Sequence, residues 1–437
     1  MNRSPFVYLL LFALPWRATA QFIDPGFEQS GASPWLMTHP LWTAIVPSDA
    51  PYGGSTLMGI RAQSQNFPAT AYFYQALPVA AAGDQIQVRF SCRPDPGEGA
   101  PPVVANAMLF LLSINAGVPT IVGDFQVTAP MAWTMQDITI TVPALPGGST
   151  FGLGFGGVCF QGGDCYMRYD NAHISISGTG AKLNAKAWLD GCYVPGLGLM
   201  RDDLRAAGFI PTTEANGILT TWQQFPTGET TTPAVLAVTG NNAIVDWVRV
   251  ELRMGSPEYG IPQAMRNALI QRDGDIVDVD GVSPVTFPVK GGNYYVHVAH
   301  RNHLGVLGTD AVTLTSTPVT FDARSPSTNL YTHVGAESGP PRKTVGATRT
   351  LWAGNTWRSL LLSKDILYVG SNNDRDLILT TIGGSTPTQT TTGYHRADVN
   401  LDGVVKYVGE NNDRDLILLT IGGSVPTAVR YEQVPGP

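Results

Sequence analysis

Near the C-terminus the chain reads Asp398-Val-Asn-Leu-Asp-Gly403. Asp398, Asn400 and Asp402 set side-chain oxygens at alternate positions around one centre. Gly403 permits the sharp turn, and the Val404 carbonyl falls at the seventh position. All-oxygen donors in this order suit a hard cation, Ca2+. The usual closing acid at the twelfth position would be Gly409, which has no side chain to offer. Asn412 reads instead as a helix N-cap with Asp413 and Asp415 in the first turn. The loop is therefore expected to carry an insertion after Lys406 and to be closed by Asp415, helped by Asp413. A solvated acidic turn without metal is the alternative reading.

This loop belongs to a repeat. Tyr368 to Gly384 returns, nearly residue for residue, as Tyr407 to Gly423, 39 positions later. At that spacing Asp398, Asn400 and Asp402 fall on Ser359, Leu361 and Ser363, so the first copy has lost its donors and one calcium site is expected. Both copies keep the Asn-Asn-Asp-Arg-Asp helix start. Leu377, Ile378 and Ile382 are expected to pack against Leu416, Ile417 and Ile421.

Elsewhere the chemistry is sparser. His297 and His300 have opposite strand parity and point to opposite faces, so with His303 they read as imidazoles bonded to the strand-turn backbone rather than a metal triad. Asp273, Asp275, Asp278 and Asp280 fit an Asp/Gly-rich hairpin. No nucleophile elbow, H-E-x-x-H, phosphate loop or dinucleotide fingerprint occurs. Hydrolysis by two carboxylates leaves no local pattern, so it stays open.

These residues must be positioned by a 437-residue chain, long enough for two or three domains. Residues 1–20 read as a signal peptide: Arg3, an apolar run from Phe6 to Trp16, and Ala18-Thr-Ala20 before Gln21. No later stretch is apolar for long enough to span a bilayer. No Cys follows the cleavage site, so no lipid anchor is expected there. Without Arg3 and Arg17 the formal charge moves from −7 to −9, and no basic cluster remains to attract nucleic acid or anionic membranes. Low charge, abundant Gly and Pro, and alternating segments such as Gln85–Phe90, Asp137–Val142 and Ala243–Leu252 indicate loop-rich, extracellular β material. A short helix is expected from Met200 to Ala207. Four cysteines allow several connectivities: Cys159 and Cys165 flank a turn and could bridge a hairpin end, while Cys92 and Cys192 pair or stay buried and free. Residues 335–348 read as a linker by composition.

Two resemblances add to this. The tail, 351–430, resembles the dockerin type I module through its second loop and the two Leu-Ile-Leu helices. It is also similar to the tails of secreted multidomain, haemagglutinin-like proteins of Bacteroidota-type bacteria, which carry the same Asn-Asp-Arg-Asp signature. Pieces of 182–325 resemble the central region of those proteins, notably Ala243-Ile-Val-Asp-Trp247 and His300-Arg-Asn-His-Leu-Gly305. Residues 21–178 open with Asp24-Pro-Gly-Phe-Glu28 and close with Tyr169-Asp-Asn171. Those ends resemble jelly-roll carbohydrate-binding modules of the galactose-binding-like superfamily, and the resemblance implies Glu28 and Asp170 as ligands of a second, structural calcium. Trp42, Tyr52, Tyr72 and Tyr74 are the aromatics available to stack on sugar rings.

The expected fold is mainly β: an N-terminal jelly-roll sandwich, a second β-rich, sandwich-like domain and a small α-helical, dockerin-like tail. The expected function is that of a secreted, non-catalytic, calcium-binding protein that binds glycans or cell-surface material, as in adhesion. The dockerin resemblance implies a cohesin-like or surface partner for the tail. The alternative is a polysaccharide-degrading glycoside hydrolase with its catalytic pair in the second domain.

Overall fold

The computed structural model describes residues 35–38, 43–47, 56–61, 63–64, 72–77, 80–95, 105–159, 166–177, 180–214, 228–254, 257, 262–357 and 365–435. Residues 1–20, expected as a signal peptide, and Glu28, Trp42, Tyr52 and Cys165 lie outside these residues, and so does the Cys159 side chain. The fold is mainly β, with short helices at Asp203–Ala206, Pro233–Leu236, Asp374–Thr381 and Asp413–Thr420 among the described residues.

The N-terminal region is a β-sandwich. One sheet orders Leu36–Met37, Tyr72–Ala76, Thr150–Cys159, Ala105–Asn115 and Val118–Ala129; the other orders Thr43–Pro47, Thr56–Arg61, Tyr166–Ile176, Gln85–Asp95 and Thr134–Thr141. Successive strands cross repeatedly between the two sheets, the interleaving of a jelly roll. Period-2 alternation turns every second side chain inward. Phe73 and Phe155 from the first sheet therefore meet Phe90 and Tyr169 from the second, with ring centroids 5.1–5.7 Å apart. The Tyr169 hydroxyl is satisfied inside this core by the Gly156 carbonyl and the Met108 N–H.

The second β-rich region is a nine-stranded sheet. Along it lie Val285–Phe287, Ala181–Lys186, Asp275–Val277, Pro262–Gln271, Ile244–Arg253, Gly292–Ala299 and Val306–Leu307. Ile244–Arg253 is central, and all ten of its residues are buried although four are charged. An apolar cluster runs continuously from the sandwich into this sheet, and Lys290 pairs with Asp84 across the junction at 2.6 Å.

Residues 335–348, expected as a linker, are partly built into the fold. Lys343–Val345 pairs with Thr348–Thr350, and the buried Arg342 guanidinium donates to the carbonyls of Ala323, Ser325 and Thr328. Composition alone misses this, because a glycine- and proline-rich stretch can be pinned by one arginine that finds carbonyls.

The tail helices start at Asn373 and Asn412, whose side chains accept from Asp376 N and Asp415 N as N-caps. Each helix ends on two glycines with positive φ, Gly383-Gly384 and Gly422-Gly423. Ile378, Ile382, Ile417 and Ile421 share one core with Trp352, Ile366 and Val405. The tail also packs on the central sheet: Leu189 bridges to Leu351, and His303 to Ala353.

Phe155→Ala removes the ring shared by four aromatic contacts. It is expected to destabilise the sandwich by about 3–5 kcal/mol, read as a lower urea midpoint of its unfolding transition.

Candidate functional site

The loop at 398–403 turns through Leu401, at φ 58°, and Gly403, at φ 82°. Asp398 is fully buried, with Oδ1 accepting from Asp402 N and Oδ2 from Gly403 N. Asn400 Oδ1 accepts from Asp402 N, and Asp402 Oδ1 from Val404 N. Val404 opens a short strand paired with Thr392. The three donor residues thus line one tight turn, held by their own backbone.

The two first-turn acids, Asp413 and Asp415, take different places. Asp415 is on the outer side of its helix, bonded to Asn412 Nδ2 at 2.8 Å and to Arg414, as the reciprocal partner of the N-cap. Asp413 reaches the loop instead. Its carboxylate is buried, with Oδ1 accepting from Val399 N at 2.6 Å and Oδ2 from Lys406 N at 2.8 Å.

The first copy makes the same clamp. Asp374 Oδ1 accepts from Trp357 N at 2.8 Å and Oδ2 from Leu367 N at 2.7 Å. Leu367 and Lys406 are equivalent positions, so this bond belongs to the repeat whether or not loop donors accompany it. What sets the second copy apart is a second buried carboxylate. Burial pushes Asp398 up to about 6, and burial together with the Asp398 charge pushes Asp413 up to about 8. Two sealed, mutually repelling carboxylates beside Asn400 and Asp402 form an oxygen set that fits Ca2+ in donor chemistry. Among the described residues, no group of three or more His, Cys, Asp or Glu is already arranged to hold a metal ion.

A second polar cluster lies between tail and central sheet. Asp246, fully buried, receives Trp247 N at 2.7 Å, Arg301 Nε at 2.9 Å, His300 Nε2 at 3.1 Å and the Tyr394 hydroxyl at 2.5 Å. Burial would raise this carboxyl, but Arg301, His300 and Tyr394 together hold it well below the usual range. His300 Nδ1 meets His303 Nδ1 at 2.9 Å, and His303 Nε2 accepts from Gly191 N at 3.4 Å. A neutral His303 donating through Nδ1 and a neutral His300 donating to Asp246 satisfy this chain. His297 donates to a different acid, Glu251, at 2.7 Å, and Glu251 also pairs with Arg249 and Arg253. The three histidines therefore bond carboxylates and one another as well as the backbone expected of them, where His300 Nδ1 accepts from Asn302 N at 3.4 Å and His303 Nε2 from Gly191 N. Asp246 and Glu251 are sealed from solvent, so neither can meet a polysaccharide. The ladder Arg249-Glu251-Arg253 was legible as alternating charge, but Tyr394, 148 residues from Asp246, carried no signal.

In the sandwich, Tyr72 and Tyr74 lie on the sheet face opposite Phe73, in ring contact with each other and, for Tyr72, with Phe110 at 5.2 Å. Both are only 6% exposed, so neither presents an open ring as a sugar platform. Neighbouring rings and the glycine strip beneath explain this: Tyr72 leans so close over Gly154 that a Cβ there would sit 3.0 Å from its ring. The register puts Asp124 opposite Phe110 and Gln126 opposite Met108, so both exposed polar residues rim the same face. Asp170 is buried at a bulge in the other sheet, while Glu28, its implied partner, lies outside the described residues. Cys92 and Cys192 are buried free thiols, the first pushed up to about 12 by burial.

No family model and no curated protein matches the chain. Solved structures do. The carbohydrate-binding module TmCBM61 in complex with β-1,4-galactotriose is 15% identical, with 36% of this chain and 98% of that one covered and a TM-score of 0.25. The CBM22-1 xylan-binding domain from Paenibacillus barcinonensis is 11% identical, covering 36% and 94%, with a TM-score of 0.26. A cyclase from Fischerella sp. TAU is 14% identical, covering 35% and 94%, with a TM-score of 0.26. Similarity this low says nothing of a ligand, and the partners in those names remain theirs.

Acid should loosen the central sheet. Burial lowers His297 to about 4 against about 6.5 in an unfolded chain, Glu251 opposing only in part. The unfolded state therefore binds the extra proton first, and stability falls as pH drops from about 6.5 toward 4. His297→Gln is expected to shrink the fall in Tm between about pH 7 and about pH 5; equal falls in both proteins would assign the acid lability elsewhere.

Proposed function

We propose that this chain is an exported, non-catalytic protein that binds glycans or cell-surface material through its N-terminal sandwich, with a tail braced by Ca2+. The observation that carries the glycan reading is the outer face of the first sheet. Asn106, Asp124 and Gln126 give it an amide and carboxylate rim, set on a closed layer of Tyr72, Tyr74 and Phe110. Planar polar groups of this kind suit the hydroxyls of a pyranose. Asn106 Nδ2 already bonds Gln126 Oε1 at 3.3 Å, which fixes part of the rim.

The calcium reading rests on the loop. When bound, the cation would supply positive charge to Asp398, Asn400, Asp402 and Asp413, offsetting the buried negative pair. The dockerin-like role of attachment would have to use surface that remains open, such as the helix end around Leu419 and Val425. The hydrolase alternative would need acids other than Asp246 and Glu251.

Isothermal titration of the mature chain with β-1,4-galacto- and xylo-oligosaccharides tests the first half. Binding weakened severalfold by Asp124→Ala is expected. Released reducing ends would favour the hydrolase, and silence across a broad glycan array would sink the glycan reading. For the second half, EDTA is expected to lower the melting temperature of the tail transition, and readdition of Ca2+ to restore it. A melting curve indifferent to both would remove the metal.

A further inference from the structure

The loop at 398–403 is not displayed on a detached module; its outer side is pressed into the central region. Asn302 Nδ2 donates to the carbonyls of Asp398, at 2.6 Å, and Arg396, at 3.0 Å. Arg201 Nη2 donates to the Asn400 carbonyl at 2.7 Å and to Gly191 O at 3.3 Å. The approach is close: a Cβ on Gly191 would stand 2.2 Å from the Val399 carbonyl oxygen, and one on Gly403 would stand 3.0 Å from the Phe209 ring. Arg301 bonds the His395 carbonyl at the loop's entrance while stacked on Tyr394 at 4.3 Å.

We propose that Asn302 and Arg201 are positioning residues for the tail's cation loop, so that cation binding and docking of the tail on the central region are one coupled event. This rests on the calcium reading above. The geometry carries it as follows. A loop of alternating side-chain donors with a backbone carbonyl at its seventh position needs the carbonyls of its first and third residues turned away from the side-chain oxygens. Asn302 and Arg201 hold two of those carbonyls, of Asp398 and Asn400, from outside. Both come from segments about 100 and 200 residues away in sequence, |i−j| being 96 and 199. The loop's shape is thus set by the central region. Reciprocity follows by linkage: whatever the docked state adds to cation affinity, the cation adds to docking.

The same outer side is consequently unavailable to a second protein. A partner that gripped this repeat through the loop would have to displace Asn302 and Arg201 first.

The test is Ca2+ titration calorimetry on the full mature chain, with hydrogen exchange of the strand Ile244–Arg253 read with and without the ion. Wild type is expected to bind Ca2+ and to gain protection in that strand. Asn302→Ala is expected to bind about tenfold more weakly, as is usual when a group orienting a metal ligand is lost, and to lose the gain in protection. Arg201→Lys, which keeps the charge but not the fork between two carbonyls, is expected to fall between them and carries the test if Asn302→Ala fails to fold. Variants that bind as tightly as wild type would overturn the proposal and leave the calcium reading intact. Absence of Ca2+ binding in wild type would overturn both.

Discussion

Asp246 is sealed at the middle of the widest sheet, and an ionised carboxylate there costs several kcal/mol unless charge and donors meet it. It is met by a guanidinium, an imidazole, a phenol and its neighbour's N–H. The phenol belongs to Tyr394 in the tail and the other side chains to the turn after the central strands. One carboxylate thus requires that sheet, turn and tail come together. Removing the turn would leave the buried charge uncompensated, and removing the tail would take away the phenol, which is why the tail cannot be regarded as a bead on a string.

The polar seam continues along the same strand. Arg249, Glu251 and Arg253 alternate along one face, His297 stands across from Glu251, and Arg253 reaches the Pro435 carbonyl near the C-terminus. Burial raises the Glu251 carboxyl, but Arg249, His297 and Arg253 outweigh it and hold it ionised. Charged residues at every second position would ordinarily mark a solvated strand face. Here the segment from Glu432 to Pro435 lies over that face and converts it into an internal one, with Glu432 Oε1 accepting from Gly305 N at 2.9 Å.

The two tail repeats separate what is architectural in such a unit from what is chemical. Asp374 and Asp413 pin equivalent backbone positions, and Arg375 and Arg414 stack on Tyr368 and Tyr407 at the same 5.1 Å. Those features persist although the first copy has Ser359, Leu361 and Ser363 where the second has donors. The clamp therefore serves the helix start in both copies, and only the second adds the oxygen set that suits a cation.

The sequence by itself determined local matters. The N-caps at Asn373 and Asn412, the glycine stops, the strand alternation at Gln85–Asp95 and Ile244–Arg253, and the donor order at 398–403 are all written within a few residues of one another. Each depends on side chains and backbone that are neighbours in the chain. That Asp413, of the two first-turn acids, turns onto the loop backbone was not decided by spacing, because it depends on how the helix enters the turn. The sealed cluster at Asp246, the covered face of Tyr72 and Tyr74, and the grip of Asn302 and Arg201 on the loop were decided only by tertiary structure. Their partners lie tens to hundreds of residues apart, and burial, which sets the cost of each charge and the openness of each ring, is a property of the assembled fold.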